Sequence, residues 1–193
     1  PDHTIHIDCN SGYRLEEAAI FEALGELDLA MIEQPLNDDD FHDHAQLQRR
    51  IRTPICLDES VKSLRHARLA IELKSCHYVN IKPPRVGGLT NAVAIHDFCR
   101  DAGIPCWVGG MLESATGSAH CVALAMLDNF TYPADIFPTS RFYTQDLSDP
   151  PLELVNDADG VPSVEAFEEL PEPDLGQLKK LTVQHAVIAR DTP

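Results

Sequence analysis

Apolar positions along the chain recur in a strand-then-helix order. Short apolar runs suited to buried strands are each followed by a longer stretch whose apolar residues recur at helical spacing. A helix between two strands returns the chain to the same edge of a sheet, so this order predicts parallel strands. The predicted strands are residues 5–7, 29–32, 55–57, 78–81, 104–108 and 130–132.

The repeat is lost after residue 137. Two short apolar segments, 152–155 and 161–164, flank an Asn-Asp-Ala-Asp-Gly turn and predict a hairpin. Residues 175–181 predict a short helix. We therefore predict an α/β fold of about six βα units over residues 1–147, followed by a C-terminal hairpin and tail over residues 148–193.

An ionisable residue stands at the carboxyl end of four successive strands, every 24 or 25 residues: Asp8, Glu33, Asp58 and Lys82. In parallel α/β folds this end of the strands carries the active site. The curved wall of a (β/α)8 barrel points neighbouring strand ends at one centre, whereas an open sheet fans them apart. The spacing therefore favours a barrel. The chain is shorter than the roughly 250 residues of a complete barrel, so we predict a partial one.

Three carboxylates at one centre repel each other unless a divalent cation neutralises them, and oxygen ligands suit Mg2+ or a similar ion such as Mn2+. A helix N-cap could explain one of the three acids, though not all three in register. Lys82, at the end of its strand and before Pro83-Pro84, is a candidate acid–base residue. The alternative is a lysine that extends to solvent from a strand end.

Other polar positions leave alternatives open. The glycines of Gly109-Gly110-Met111-Leu112-Glu113-Ser114 allow backbone to approach a ligand, so this segment predicts substrate contacts or simply the start of a helix. Arg85 with Gly87 and Gly88 predicts either an anion cradle or a tight turn. His42 and His44 fall on different faces of a predicted helix, and we expect both at the surface.

Composition narrows the class of partner. A net charge of −16 argues against nucleic acid and against anionic membranes. Six cysteines are scattered without a Cys-x-x-Cys pair, which is typical of reduced, buried thiols in a cytoplasmic protein. The chain begins at Pro1 without a methionine, and it contains neither a signal peptide nor an apolar run long enough to cross a membrane.

Several motifs together resemble the carboxy-terminal part of an enolase-superfamily enzyme. The similarity is to the muconate-lactonizing subgroup, in particular the o-succinylbenzoate synthase / N-acylamino acid racemase family. It implies barrel strands 3–8, with Asp8, Glu33 and Asp58 holding Mg2+ and Lys82 as one of two lysines facing each other across a small carboxylate substrate. The matching runs, within about residues 5–147, are 8–10, 32–36, 57–60, 80–89, 109–114 and 133–136.

The same resemblance implies a reaction and its alternatives. A proton is removed next to a carboxylate to give an enediolate. A synthase of menaquinone biosynthesis then removes water, whereas a racemase returns the proton on the opposite face, and the metal and lysine do not choose between the two. The chain is less similar to muconate cycloisomerase and dipeptide epimerase around residues 109–114. Residues implied to contact the substrate are Asn10, Gly110, Met111, Glu113 and Ser114.

The chain also departs from the family pattern. The Lys-x-Lys run, the first two barrel strands and the capping domain on which the tail would pack are absent from these residues. Pro84 and Ala115-Thr116-Gly117 replace more usual residues. We therefore expect the 193-residue chain alone to be inactive. An interaction domain without catalysis is the alternative of another class, and a homo-oligomer stays open.

Overall fold

The computed structural model of the protein describes residues 4–183. These residues form two compact units. The first comprises residues 4–111 and 120–136, and the second comprises residues 112–119 and 137–183. The last ten residues of the predicted tail, 184–193, lie outside the described residues. The predicted domain boundary after residue 147 stays a prediction.

The first unit contains a parallel sheet of five strands in which sequence neighbours are also neighbours in space. This topology confirms the predicted α/β fold. Asp8 lies opposite Glu33 and Ile81 lies opposite Val108, so successive strands end at the same edge. The strands are β1 (Ile7–Asp8), β2 (Ile32–Glu33), β3 (Ile55–Leu57), β4 (Tyr78–Ile81) and β5 (Cys106–Val108).

The predicted sixth strand, 130–132, is less regular than expected. It joins β5 through isolated parallel bridges, Cys106 to Phe130 and Gly109 to Asp135. The Thr131 N–H donates to the Cys106 carbonyl at 3.0 Å, but Pro133 follows and has no N–H to continue the ladder. The segment therefore lies beside β5 without forming a continuous strand.

Helices follow the strands as the helical spacing predicts. Asp40 caps one of them by accepting a hydrogen bond from the Asp43 N–H at 2.9 Å, so the acidic run at residues 38–40 leads directly into a helix. The α-helices of the described chain are α1 (Ala18–Leu24), α2 (Phe41–Arg50), α3 (Leu64–Leu73), α4 (Pro83–Val86), α5 (Leu89–Asp101), α6 (Ala115–Ala125) and α7 (Leu175–Leu181). Short 3-10 turns occupy Leu15–Glu17, Gly25–Leu27 and Thr139–Arg141.

An aromatic and sulfur-rich cluster lies in the core of the first unit. Met31, Cys56 and Trp107 are buried together, with Tyr78 and Tyr132 packed against them. The Trp107 indole N–H donates to the Cys56 sulfur at 3.2 Å, which satisfies the buried donor. The six cysteines form no disulfide with one another, and five of them are buried, as the scattered spacing predicts.

His44 is buried, so the prediction of a surface position was wrong for this residue, whereas His42 is exposed. Its Nδ1 atom donates to the Asp40 carbonyl at 2.7 Å, and its Nε2 atom accepts from the Leu36 N–H at 3.2 Å. An imidazole with one donor and one acceptor must be neutral. His44 therefore joins α2 to the loop that follows β2.

We expect His44 to make the fold sensitive to acid. Burial lowers the pKa of His44 below its ordinary value, so the folded protein keeps the ring neutral where the unfolded chain binds a proton. Both states are neutral above about pH 6.5, so the loss of stability begins as the pH falls below that value. The stability advantage of wild type over His44→Gln should shrink by up to about 1.4 kcal/mol per pH unit in urea unfolding.

The matched control is His42→Gln on the same helix. Its side chain is 75% exposed, so the free energy of unfolding of this variant should stay close to that of wild type. If the difference in unfolding free energy between His44→Gln and wild type does not change with pH, the buried ring does not govern the acid sensitivity of the fold.

The second unit is built from two short antiparallel pairs and a helix. β6 (Ser148–Asp149) pairs with β9 (Glu172–Pro173), and β7 (Val155–Asn156) pairs with β8 (Pro162–Ser163). The β7–β8 pair confirms the predicted hairpin, whose turn is closed by two backbone N–H groups donating to Asp157 Oδ1. Helix α7 confirms the predicted short helix. Between residues 4 and 183, no helix combines the length and the apolar character that crossing a bilayer requires.

Candidate active site

A cavity of about 550 Å³ opens in the first unit and brings Asp8, Glu33 and Lys82 together. These are three of the four residues that the strand spacing selects. The fourth, Asp58, contacts the lysine of this cavity directly. The cavity is lined by Thr4, His6, Asp8, Glu33, Asn80, Lys82, Trp107, Tyr132, Pro133, Ala134 and Asp135.

Glu33 is a buried carboxylate at the end of β2. Its Oε1 atom accepts a hydrogen bond from Asn80 Nδ2 at 2.7 Å, and its Oε2 atom lies 3.6 Å from His6 Nε2. Burial raises the pKa of Glu33 to about 8, with repulsion from Asp58 and Asp8 adding to the rise and the Asn80 hydrogen bond opposing it. Burial and the neighbouring carboxylates therefore both disfavour the charged form of this carboxyl group.

Asp58 is buried and held by two cations. Lys82 Nζ donates to Asp58 Oδ2 at 2.7 Å, and Arg85 donates to Oδ1. The Asp58 backbone N–H donates to Gln34 Oε1 at 2.9 Å, which fixes the strand end as well. Both oxygens of this carboxylate are thus engaged within the protein.

Lys82 leaves the sheet immediately after β4, as predicted, because Pro83 begins the short helix α4. Its side chain is 20% exposed and ends on Asp58. The alternative of a lysine extending to solvent is therefore wrong. Lys82 also lines the cavity, and its acid–base role stays a prediction.

Asp8 is oriented by Asn10. The Asn10 backbone N–H donates to Asp8 Oδ1 at 2.9 Å, and Asn10 Nδ2 donates to Oδ2 at 2.7 Å. Asn10 adopts a left-handed conformation with φ of 43°, which this short polar side chain tolerates. In this structure Asn10 hydrogen-bonds the Asp8 carboxylate, and its predicted substrate contact stays a prediction.

The other predicted substrate contacts are not among the residues that line this cavity. The Gly110 N–H donates to the Asp135 carbonyl at 2.7 Å, and the Met111 side chain is exposed. Glu113 and Ser114 belong to the second unit, where Ser114 lines a separate cavity of about 300 Å³ with Leu112, Thr139, Tyr143, Gln145, Leu147 and Leu181. Their role toward a substrate stays a prediction.

The donor chemistry of the cavity fits a hard divalent cation. Asp8 and Glu33 line it with carboxyl oxygens, the ligand type that such a cation prefers, and Asp58 contacts its lysine. Within residues 4–183, the side chains do not bring three or more His, Cys, Asp or Glu residues close enough together to hold a metal ion. Asp58 faces Lys82 and Arg85 instead, so the metal ligands stay a prediction.

The sequence analysis missed two polar contacts of the site. Arg85 donates to Asp58, to the Val61 carbonyl at 3.1 Å and to the Asn80 carbonyl at 2.6 Å. Its predicted part in an anion cradle stays a prediction. Asn80 contacts Glu33 across the sheet. Side chains two residues apart on a strand share a face. The position of Lys82 could therefore have indicated that Asn80 faces the same site.

Removing the Arg85 guanidinium is expected to destabilise the fold. Asp58 is 2% exposed at its side chain, and Arg85→Met would leave one of its oxygens without its cation. Truncating one partner of a buried ion pair costs about 3–5 kcal/mol, so the free energy of unfolding in urea should fall by about that amount.

Arg100→Met is the matched control, since Arg100 pairs with Asp97 and Asp101 on the surface. Exposed ion pairs contribute little to stability, so this variant should remain close to wild type. Equal losses in the two variants would contradict a special role for the buried pair.

Parallel strands that deliver carboxylates and a lysine to one cavity are typical of the catalytic face of a (β/α)-barrel enzyme. Residues 1–186 match the family described as enolase C-terminal domain-like. The chain belongs to this family, within the enolase superfamily, as the motifs predict.

Named relatives and solved structures agree with this assignment. The chain is 47% identical over 163 residues to the o-succinylbenzoate synthase of Geobacillus kaustophilus, an alignment that covers 84% of the chain and 44% of that protein. It is 48% identical over 149 residues to the N-succinylamino acid racemase of an Amycolatopsis species, covering 77% and 40%. An enolase-superfamily member from Enterococcus faecalis superposes with a TM-score of 0.83 at 36% identity, covering 92% of the chain and 47% of that structure. The chain thus spans less than half the length of these relatives.

Proposed function

We propose that the chain carries part of the active site of an enzyme that removes the proton next to a substrate carboxylate. The leading candidate activity is that of an o-succinylbenzoate synthase, a dehydration in menaquinone biosynthesis. The observation that supports this proposal is the shared cavity of Asp8, Glu33 and Lys82, in a chain that is 47% identical to such a synthase.

The roles follow from the chemistry of each side chain. Lys82 Nζ would take or return the proton at the substrate carbon, because an amine at the cavity wall is a general acid–base group. Asp8, Glu33 and Asp58 would hold Mg2+ or Mn2+. The bound cation would supply positive charge to stabilise the negative charge that develops on the substrate carboxylate.

Racemisation of N-succinylamino acids is the second candidate, favoured by the 48% identity to a racemase of that name. Both reactions use the same first proton transfer, so the cavity serves either one. They differ in the second step, which is loss of water for the synthase and reprotonation on the opposite face for the racemase.

The test is a side-by-side assay of the full-length protein with the synthase substrate and with N-succinylamino acids. We expect Mg2+-dependent turnover of at least one, abolished by EDTA and restored by added Mg2+. Faster synthase turnover would support the leading proposal, and faster racemisation would support the second. Absence of both activities in folded, Mg2+-loaded protein would refute the proposed function.

A further inference from the structure

Asn80 is a fully buried amide between two functional side chains. It lies on β4, two residues before Lys82, so both side chains leave the same face of the strand. Its Nδ2 atom donates to Glu33 Oε1 at 2.7 Å. Its Oδ1 atom is buried and has no hydrogen-bond partner within residues 4–183.

Packing around the amide restricts its orientation. A Cβ atom at Gly109 would lie 2.3 Å from Asn80 Oδ1 and 2.7 Å from Nδ2, so the glycine surface borders the amide closely. The Asn80 carbonyl accepts from Arg85 Nη2 at 2.6 Å, which ties down the backbone at the same residue. The amide is thus enclosed between Gly109 and Glu33.

Core packing alone does not account for an asparagine at this position. A buried amide oxygen without a partner lowers stability, and an apolar residue of similar shape would avoid that cost. The contact that an apolar residue could not make is the hydrogen bond to Glu33. This contact is therefore the feature that distinguishes asparagine from leucine here.

We propose that Asn80 is a positioning residue that fixes the Glu33 carboxylate by its Oε1 atom and so presents the carboxylate to a divalent cation in the cavity. The inference rests on the proposed function, because it takes Glu33 as a metal ligand. Partners that orient a ligating carboxylate through a hydrogen bond contribute to metal affinity without touching the ion.

The experiment measures Mn2+ binding to the full-length protein by electron paramagnetic resonance, with Asn80→Leu and Asn80→Ala as variants. Both lack the amide donor, and the smaller alanine avoids overpacking against Gly109. We expect the Kd for Mn2+ to rise by about 10- to 100-fold in both. Turnover at low Mn2+ should fall and then recover toward wild type as Mn2+ approaches saturation, which a purely structural role would not produce.

Asn129→Leu is the matched control, because the Asn129 amide donates to the Ile104 carbonyl at 2.9 Å. This variant should bind Mn2+ as wild type does. Unchanged Mn2+ affinity in the Asn80 variants, with or without a lower melting temperature, would overturn the inference and assign Asn80 to packing. A wild-type protein that binds no Mn2+ would overturn it too. Weakened Mn2+ binding in the Asn80 variants of a protein that turns over neither substrate would support the inference while the proposed function fails.

Discussion

Replacing Lys82 with alanine in the full-length protein is expected to lower kcat by about 100- to 10,000-fold for whichever substrate is turned over. Lys82 is the amine of the described cavity lining, and its Nζ atom reaches Asp58 at 2.7 Å from the end of β4. An alanine there cannot carry a proton. The loss should appear in kcat measured at saturating substrate and saturating Mg2+, since the predicted metal ligands remain in place.

Lys62→Ala provides the comparison for this variant. Lys62 also pairs with an aspartate, Asp38, but its side chain is 48% exposed and lies outside the cavity lining. Its kcat should stay within twofold of wild type. If Lys82→Ala retains more than a tenth of wild-type kcat while its melting temperature is unchanged, Lys82 is not the acid–base residue.

The regular part of the fold could be predicted from the sequence because it depends on local pattern. Each strand of the sheet lies in a short apolar run, which a polar residue ends in β1 to β4, and the helices between strands repeat at helical spacing. Parallel pairing then follows from order alone, and it places Asp8 opposite Glu33. The apolar residues 130–132 alone would favour a sixth strand, but Pro133 interrupts the hydrogen-bond ladder, and only isolated bridges form there.

The partners of the site residues could not be predicted in the same way. Arg85 follows Lys82 in a run that the sequence presents as a turn, yet its guanidinium reaches Asp58 on the neighbouring strand. His44 belongs to a polar helix segment, yet it is buried because it bonds the Leu36 N–H. Contacts of this kind depend on the distance between elements, which residue spacing does not encode.

The two engaged oxygens of Asp58 bear on how the site would bind a cation. Lys82 and Arg85 together neutralise this carboxylate, whereas Glu33 keeps a pKa of about 8 through burial and through its acidic neighbours. Glu33 and Asp8 accept their hydrogen bonds from the neutral amides of Asn80 and Asn10, so a cation would reach these two carboxyl groups without displacing Lys82 or Arg85.

Gly109→Ala is expected to disrupt both the fold and catalysis. The added Cβ would lie 2.3 Å from Asn80 Oδ1 and 2.5 Å from Lys82 Cε, and neither position is compatible with van der Waals contact. Overpacking of this kind costs about 1–3 kcal/mol in the free energy of unfolding. Displacing a catalytic group by about 1 Å lowers the rate by about 100-fold, so kcat should fall by at least that factor as the lysine shifts.

The chain offers Gly25 as a matched control, because a Cβ there meets nothing within 4 Å and its φ is −60°. Gly25→Ala should therefore leave both the unfolding free energy and kcat close to wild type. Gly109→Ala at wild-type kcat would mean that Lys82 keeps its position despite the added methyl group, and the crowding seen between β4 and β5 would then have no bearing on catalysis. A loss of kcat in a Gly109→Ala protein that still unfolds cooperatively would instead tie the spacing of these two strands to the placement of the lysine.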